Sequence, residues 1–91
     1  MIENERAQID QIDRQLVKLF EERMKVSQAI AQIKKAHQME VLDEEREAKV
    51  LDKVTDYLED ESLAPHLQDF YKELMRISRQ RQLLIIDEII E

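Results

Sequence analysis

The chain has no glycine in its 91 residues and only one proline, Pro65. That absence constrains the fold more than any motif does. Tight hairpin turns rely on residues with positive φ, chiefly glycine, and strands use glycine for bulges and sharp bends. A glycine-free chain rich in Glu, Lys, Arg, Gln, Leu and Ile prefers helix almost everywhere. The expectation is an all-α protein forming one domain over 1–91, because a chain of this length supports a single core.

The same absence excludes phosphate-cradling loops of the Walker and dinucleotide-binding kinds. There is no cysteine, which removes disulfides, thiol nucleophiles and thiolate metal sites. His37 and His66 lie far apart, and neither has a partner at metal-ligand spacing. No metal and no cofactor are expected. A formal net charge of −7 argues against nucleic acid or an anionic membrane surface as a partner. The opening MIENERAQID is charged and lacks the apolar core of a signal peptide, and no stretch reaches the length of a membrane span. These features lead to the expectation of a soluble, cytoplasmic protein.

Three helices follow from the spacing. From about Ile2 to His37, apolar residues fall at Ile9, Ile12, Leu16, Leu19, Val26, Ile30 and Ile33, a stripe close to a heptad seam with one gap at Arg23. Asp43 reads as an N-cap, followed by the first-turn acids Glu44 and Glu45. A second helix runs from there to about Leu58, with Leu51, Val54 and Leu58 inward. Glu59 to Ser62 reads as an acidic loop. Pro65 suits the first turn of a third helix, which carries Leu67, Phe70, Leu74, Ile77, Leu84 and Ile85 inward almost to the C-terminus.

A first helix of some 35 residues spans roughly 50 Å, whereas a compact chain of this length is about 30 Å across. Two shorter helices of the same chain cannot cover its stripe. A second copy is the simplest cover, giving an intertwined helical homodimer. The alternative is a helix that breaks near Arg23 and folds back into a monomeric bundle.

Polar residues interrupt the inward faces of all three helices, and burying them unpaired is costly. Arg23 holds a seam position, and Lys34 lies within roughly 20° of it on the same face. Arg6 borders the stripe one turn before Ile9. On the second helix Glu47 sits one turn before Leu51, with Asp43 a turn earlier and Arg46 beside it. On the third, Ser78 and Gln82 continue the row of Tyr71, Leu74 and Ile85. Each has a purely structural explanation: Arg23 pairing with Glu47, Lys34 reaching out to solvent, Arg6 lying on a frayed end, Ser78 and Gln82 setting register. Together they fit a ligand better, and a small anion with two carboxylates would satisfy them. Arg6 and Arg23 are about 25 Å apart along one helix, so they cannot hold one ligand from the same chain. In an antiparallel dimer, Arg6 would complete the other subunit's site.

The pattern resembles the all-helical, type II chorismate mutase family over the whole length. It comprises Arg6, Asp13 in the stretch from Ile12 to Leu16, Arg23 in EERM, Lys34 in IKK, Asp43, Arg46 and Glu47 in VLDEEREAKVL, and Ser78 and Gln82 in SRQRQ. Spacings match through the second helix, and the loop before the third differs by one residue. Each element alone is weak; the set is specific. The resemblance implies an intertwined dimer of three-helix subunits and a monofunctional, single-domain isomerase converting chorismate to prephenate in the shikimate pathway of aromatic amino acid (Phe/Tyr) biosynthesis. It implies that Arg23 and the other subunit's Arg6 hold the substrate carboxylates, and that Lys34 and Gln82 donate to the ether oxygen. It further implies that Glu47, with backbone at Asp43, binds the ring hydroxyl, that Arg46 and Ser78 help hold the ring carboxylate, and that Asp13 is structural.

A Claisen rearrangement needs no nucleophile, proton transfer or cofactor, only conformer selection and stabilisation of charge growing on the ether oxygen. Two other readings stay open on the sequence: an isochorismate-pyruvate lyase on the same scaffold, and a non-catalytic helical dimerisation module. The lyase would be separated by its product. The module would tolerate apolar residues at Arg23, Lys34 and Gln82.

Overall fold

The computed structural model describes residues 1–90, with side chains through Asp87. Among the described residues there are three α-helices, α1 (Glu3–Ala36), α2 (Glu44–Asp56) and α3 (Ala64–Ile90), with a single 3-10 turn at Glu61–Leu63 before the last. The chain is all-α. Its length along the longest axis is 53 Å, and the radius of gyration is 16.2 Å. A compact chain of this size would have a radius near 12 Å. The long first helix makes the difference.

α1 is unbroken through Arg23, so the folded-back monomeric bundle does not form. Glu3 and Glu5 occupy its first turn and Lys34 and Lys35 its last, signs that suit the helix dipole at both ends. Its termination shows what a glycine-free chain does where glycine is usual. Gln38 takes a left-handed conformation with φ 55°, the Gln38 N–H bonds the Lys35 carbonyl at 3.1 Å, and the Met39 N–H bonds the Lys34 carbonyl at 2.7 Å. That is a Schellman cap. A residue with a Cβ pays about 1–2 kcal/mol in this conformation.

Asp43 then caps α2, its Oδ1 accepting the Arg46 N–H at 3.0 Å. α2 ends at Asp56, slightly before Leu58, because the Tyr57 and Leu58 N–H groups already bond the carbonyls three residues back. The acidic segment after it is not wholly loop. Asp60 accepts from the Ser62 hydroxyl and N–H and caps the 3-10 turn, which holds its carboxyl below the usual carboxylate range. Pro65 lies in the first turn of α3.

α3 is the element against which both others pack. Its inward row is Leu74, Met75, Ser78, Gln82 and Ile85, all buried, facing Ser27 and Ala31 of α1. Leu51, Val54 and Leu58 of α2 are half-buried, as their spacing predicts. Phe70 and Leu84 are exposed instead of inward. Each precedes an inward-facing residue, the half-buried Tyr71 or the buried Ile85, and so points about 100° away from it. The larger surprise is on α1. Every position from Met1 to Glu22 is exposed, and so are the stripe residues Val26, Ile30 and Ile33.

Candidate active site

Where the three helices meet, they line an open cavity of about 340 Å³, within the range of small-ligand pockets. α1 supplies Arg23, Ser27 and Lys34; α2 and its cap supply Asp43, Arg46 and Glu47; α3 supplies Ser78, Arg79 and Gln82. Val26, Ile30, Val41, Val50 and Met75 form the apolar part of the wall. All the candidate residues named from the sequence line this one cavity except Arg6. Arg6 is exposed on the N-terminal half of α1, outside the cavity, as is Asp13.

The polar groups are mostly held in place. Arg23 Nη1 donates to Ser78 Oγ at 3.0 Å, and its guanidinium lies 5.9 Å from the centre of the Tyr71 ring, a cation–π distance. Two contacts from α3 therefore orient it. The pairing of Arg23 with Glu47 considered from the sequence does not occur. Glu47 is taken by Arg79, whose Nη1 donates to both carboxylate oxygens at 2.5 Å. Arg23 turns toward α3 because Ser78 and Tyr71 lie opposite it, while Glu47 projects from α2 onto the adjacent flank of α3.

Lys34 is half-buried and donates to the Val41 carbonyl at 2.7 Å, tying the end of α1 to the segment that leads into α2. An ammonium has three N–H donors, so this bond leaves two for another acceptor. Gln82 is buried, and its Nε2 donates to the Ser27 carbonyl at 3.0 Å and to the Ser27 Oγ at 2.8 Å. Arg46 lines the cavity with an exposed side chain. Among the described residues, every fully buried side-chain nitrogen and oxygen has a hydrogen-bond partner.

Two polar cavity residues, Ser27 and Arg79, are not among those picked out from the sequence pattern. Ser27 had a usable signal, lying four residues after Arg23 and seven before Lys34, on the face they share. Arg79 had none, because nothing in SRQRQ distinguishes it from Arg81 before the packing of α2 on α3 is known. The cavity wall carries four basic and two acidic side chains, an excess of two positive charges within a chain of net charge −7. Such a wall suits a small dianion. Among the described residues, no cluster of His, Asp or Glu is arranged to hold a metal ion, and no helix is long and apolar enough to cross a membrane.

The sequence model of the family described as chorismate mutase type II matches residues 5–83, most of the chain and every cavity residue. The chain belongs to that family. No curated protein matches it. Type II chorismate mutases are isomerases, and the chain is an enzyme of that class with chorismate, a dicarboxylate, as the substrate the family implies. The matched span begins just before Arg6 and ends just after Gln82. For a type II chorismate mutase, a wall of opposite charge to a dicarboxylate is the expected electrostatic arrangement.

Proposed function

We propose that the chain rearranges chorismate to prephenate within a homodimer, each cavity being completed by Arg6 of the other subunit. One observation carries the reading: in a chain of this family, Arg23, Lys34, Glu47, Ser78 and Gln82 converge from three helices on one cavity with excess positive charge. Support for the dimer comes from α1. Its apolar stripe is uncovered over the full length, and Arg6 is exposed on the same half-helix, far from the cavity of its own chain.

The reaction is intramolecular. The ether carbon–oxygen bond breaks as a carbon–carbon bond forms, and no group leaves or enters. Two tasks fall to the protein. The first is to hold the substrate in its compact conformer, so that the bond-forming carbons are already close. Arg23, pre-set by Ser78 and Tyr71, would clamp one carboxylate and Arg6 of the other subunit the second. Ser78 and Arg46 would assist at the ring carboxylate, and Glu47 with the backbone at Asp43 would accept the ring hydroxyl. The second task is to stabilise negative charge growing on the ether oxygen, and fixed donors do this without reorganising during the reaction. Lys34, with two donors to spare, is the principal one. Gln82 adds a second by yielding its longer contact, to the Ser27 carbonyl, while the Ser27 hydroxyl keeps the amide aimed. The product would feed aromatic amino acid synthesis.

The test is direct. Purified protein should consume chorismate and yield prephenate, identified by NMR because the two are isomers, without added metal or nucleotide. Lys34→Ala should lower kcat by roughly 100-fold or more, as loss of one transition-state donor costs about 3 kcal/mol. Arg23→Ala should lower kcat/KM by a similar factor, with helicity by circular dichroism unchanged in both. Near-normal turnover in both variants would remove the cavity from the chemistry.

A further inference from the structure

The part proposed for Glu47 sets a physical difficulty. A carboxylate on the wall of a site for a dianion repels that dianion, and a glutamate side chain has rotamer freedom enough to swing out of register. The structure holds it still. Arg79 Nη1 bonds both Glu47 oxygens across the α2–α3 contact, and the two side chains are only 30% and 24% exposed. Among the described residues, Arg79 is the one cation that pairs with Glu47. Arg46, on the same turn of α2 as Glu47, is more exposed and makes no such contact. The two neighbours on α3 divide the work by rotation: Ser78 faces α1 and receives Arg23, and Arg79, about 100° further round, faces α2.

We propose that Arg79 is a positioning residue of the active site. It clamps the Glu47 carboxylate where that group accepts the substrate's ring hydroxyl, and its charge offsets the repulsion between Glu47 and the dianionic substrate. Arg79 touches none of the reacting atoms and acts through Glu47, so the inference rests on the reading of Glu47 given above. Charge is the larger part of that role, and a lysine keeps the charge although not the planar guanidinium.

Steady-state kinetics on chorismate for Arg79→Gln, Arg79→Lys, Glu47→Gln and the Glu47→Gln/Arg79→Gln double variant test this. Arg79→Gln should lose about tenfold in kcat/KM, mainly through a raised KM, a figure kept modest because the pair is partly exposed. Arg79→Lys should stay within about threefold of the parent. In the Glu47→Gln background, removing Arg79 should cost less than about twofold more, since its target has already gone. Losses that multiply in the double variant would overturn the proposal, because the arginine would then act independently of Glu47. If Arg79→Gln does not fold, the same cycle runs with Arg79→Lys, whose smaller loss should appear only when Glu47 is present. A parent protein inert toward chorismate, or a fully active Glu47→Gln, refutes the reading of the site itself. A fully active Arg79→Gln beside an impaired Glu47→Gln refutes the role of Arg79 alone.

Discussion

The two halves of α1 have the same style of sequence and different surroundings. Residues 3–22 carry Ile9, Ile12, Leu16 and Leu19 at steps of three and four, and nothing among the described residues covers them; Leu16 is 51% exposed and Leu19 59%. Residues 23–36 continue the stripe with Val26, Ile30 and Ile33, also exposed, but their other flank is engaged. Ser27 and Ala31 are buried against α3, and Arg23 and Lys34 line the cavity. One helix thus has two adjoining working surfaces. The flank against α3 uses the small residues Ser27 and Ala31, which let α3 approach closely. The stripe of large residues runs beside it and meets the cavity wall at Val26 and Ile30. A continuous apolar stripe of this length is unusual on a monomer, which is the ground for the homodimer proposed above. The helix period places that stripe and the cavity face side by side, so covering the one also brings a second chain to the edge of the other.

The comparison breaks most sharply under charge. Ile12→Glu/Leu16→Glu changes two positions that are about half exposed in the single chain, where surface substitutions ordinarily cost within about 0.5 kcal/mol each. If the N-terminal half stands in water, the variant should sediment and turn over chorismate like its parent. If a second copy covers the stripe, two charges enter an apolar interface, at a cost of several kcal/mol. The expected outcome is the second: a monomer by analytical ultracentrifugation, with turnover reduced by at least roughly 100-fold. Unaltered assembly would leave the stripe without the partner proposed for it.

A smaller effect tests whether the N-terminal half contributes to chemistry as well as assembly. Arg6→Ala and Arg23→Ala chains should each be nearly inactive as homodimers. Coexpressed, random mixing makes about half the molecules heterodimers with one intact site of two, so roughly a quarter of parental activity should return. The measurement is turnover of a mixed population whose heterodimer content is confirmed by two different affinity tags. No recovery in confirmed heterodimer would place Arg6 outside the site.

What could be read from the sequence, and what could not, divides along a physical line. Angles within a helix are set by the backbone, so the placement of Leu74, Ser78, Gln82 and Ile85 in one row was legible, as was the shared face of Arg23 and Lys34. The Asp43 cap was legible because only a short side-chain acceptor serves there. Angles between helices were not. They depend on how surfaces pack, which is why Arg23 meets Ser78 and Tyr71 in place of Glu47, and why Arg79 could not be told from Arg81. The same limit explains Phe70 and Leu84, which have the hydrophobicity of core residues and lie off the row that α3 presents. The left-handed Gln38 was hidden for another reason. Without glycine anywhere, the usual marker of such a cap is missing although its geometry is present.

The mildest change sharpens the contrast from the cavity side. Ser27→Ala removes the hydroxyl that receives Gln82 Nε2 at 2.8 Å and leaves the carbonyl contact at 3.0 Å intact. A lost hydrogen bond of this kind costs about 1 kcal/mol, and alanine returns up to about half of that through helix propensity. Net stability should therefore fall by about 0.5 kcal/mol, a small displacement of the thermal melt. Activity should respond differently. With one fewer restraint, the Gln82 amide is less well aimed at the ether oxygen, and a donor that matters only in the transition state affects kcat and not KM. A drop of about two- to fivefold in kcat at constant KM is the expected outcome. Sedimentation should not change, because Ser27 lies on the α3 face and not on the stripe. Altered assembly with intact kcat would show that the two faces of α1 are not separable, and the contrast between its halves would fail at the residue where it is drawn most finely.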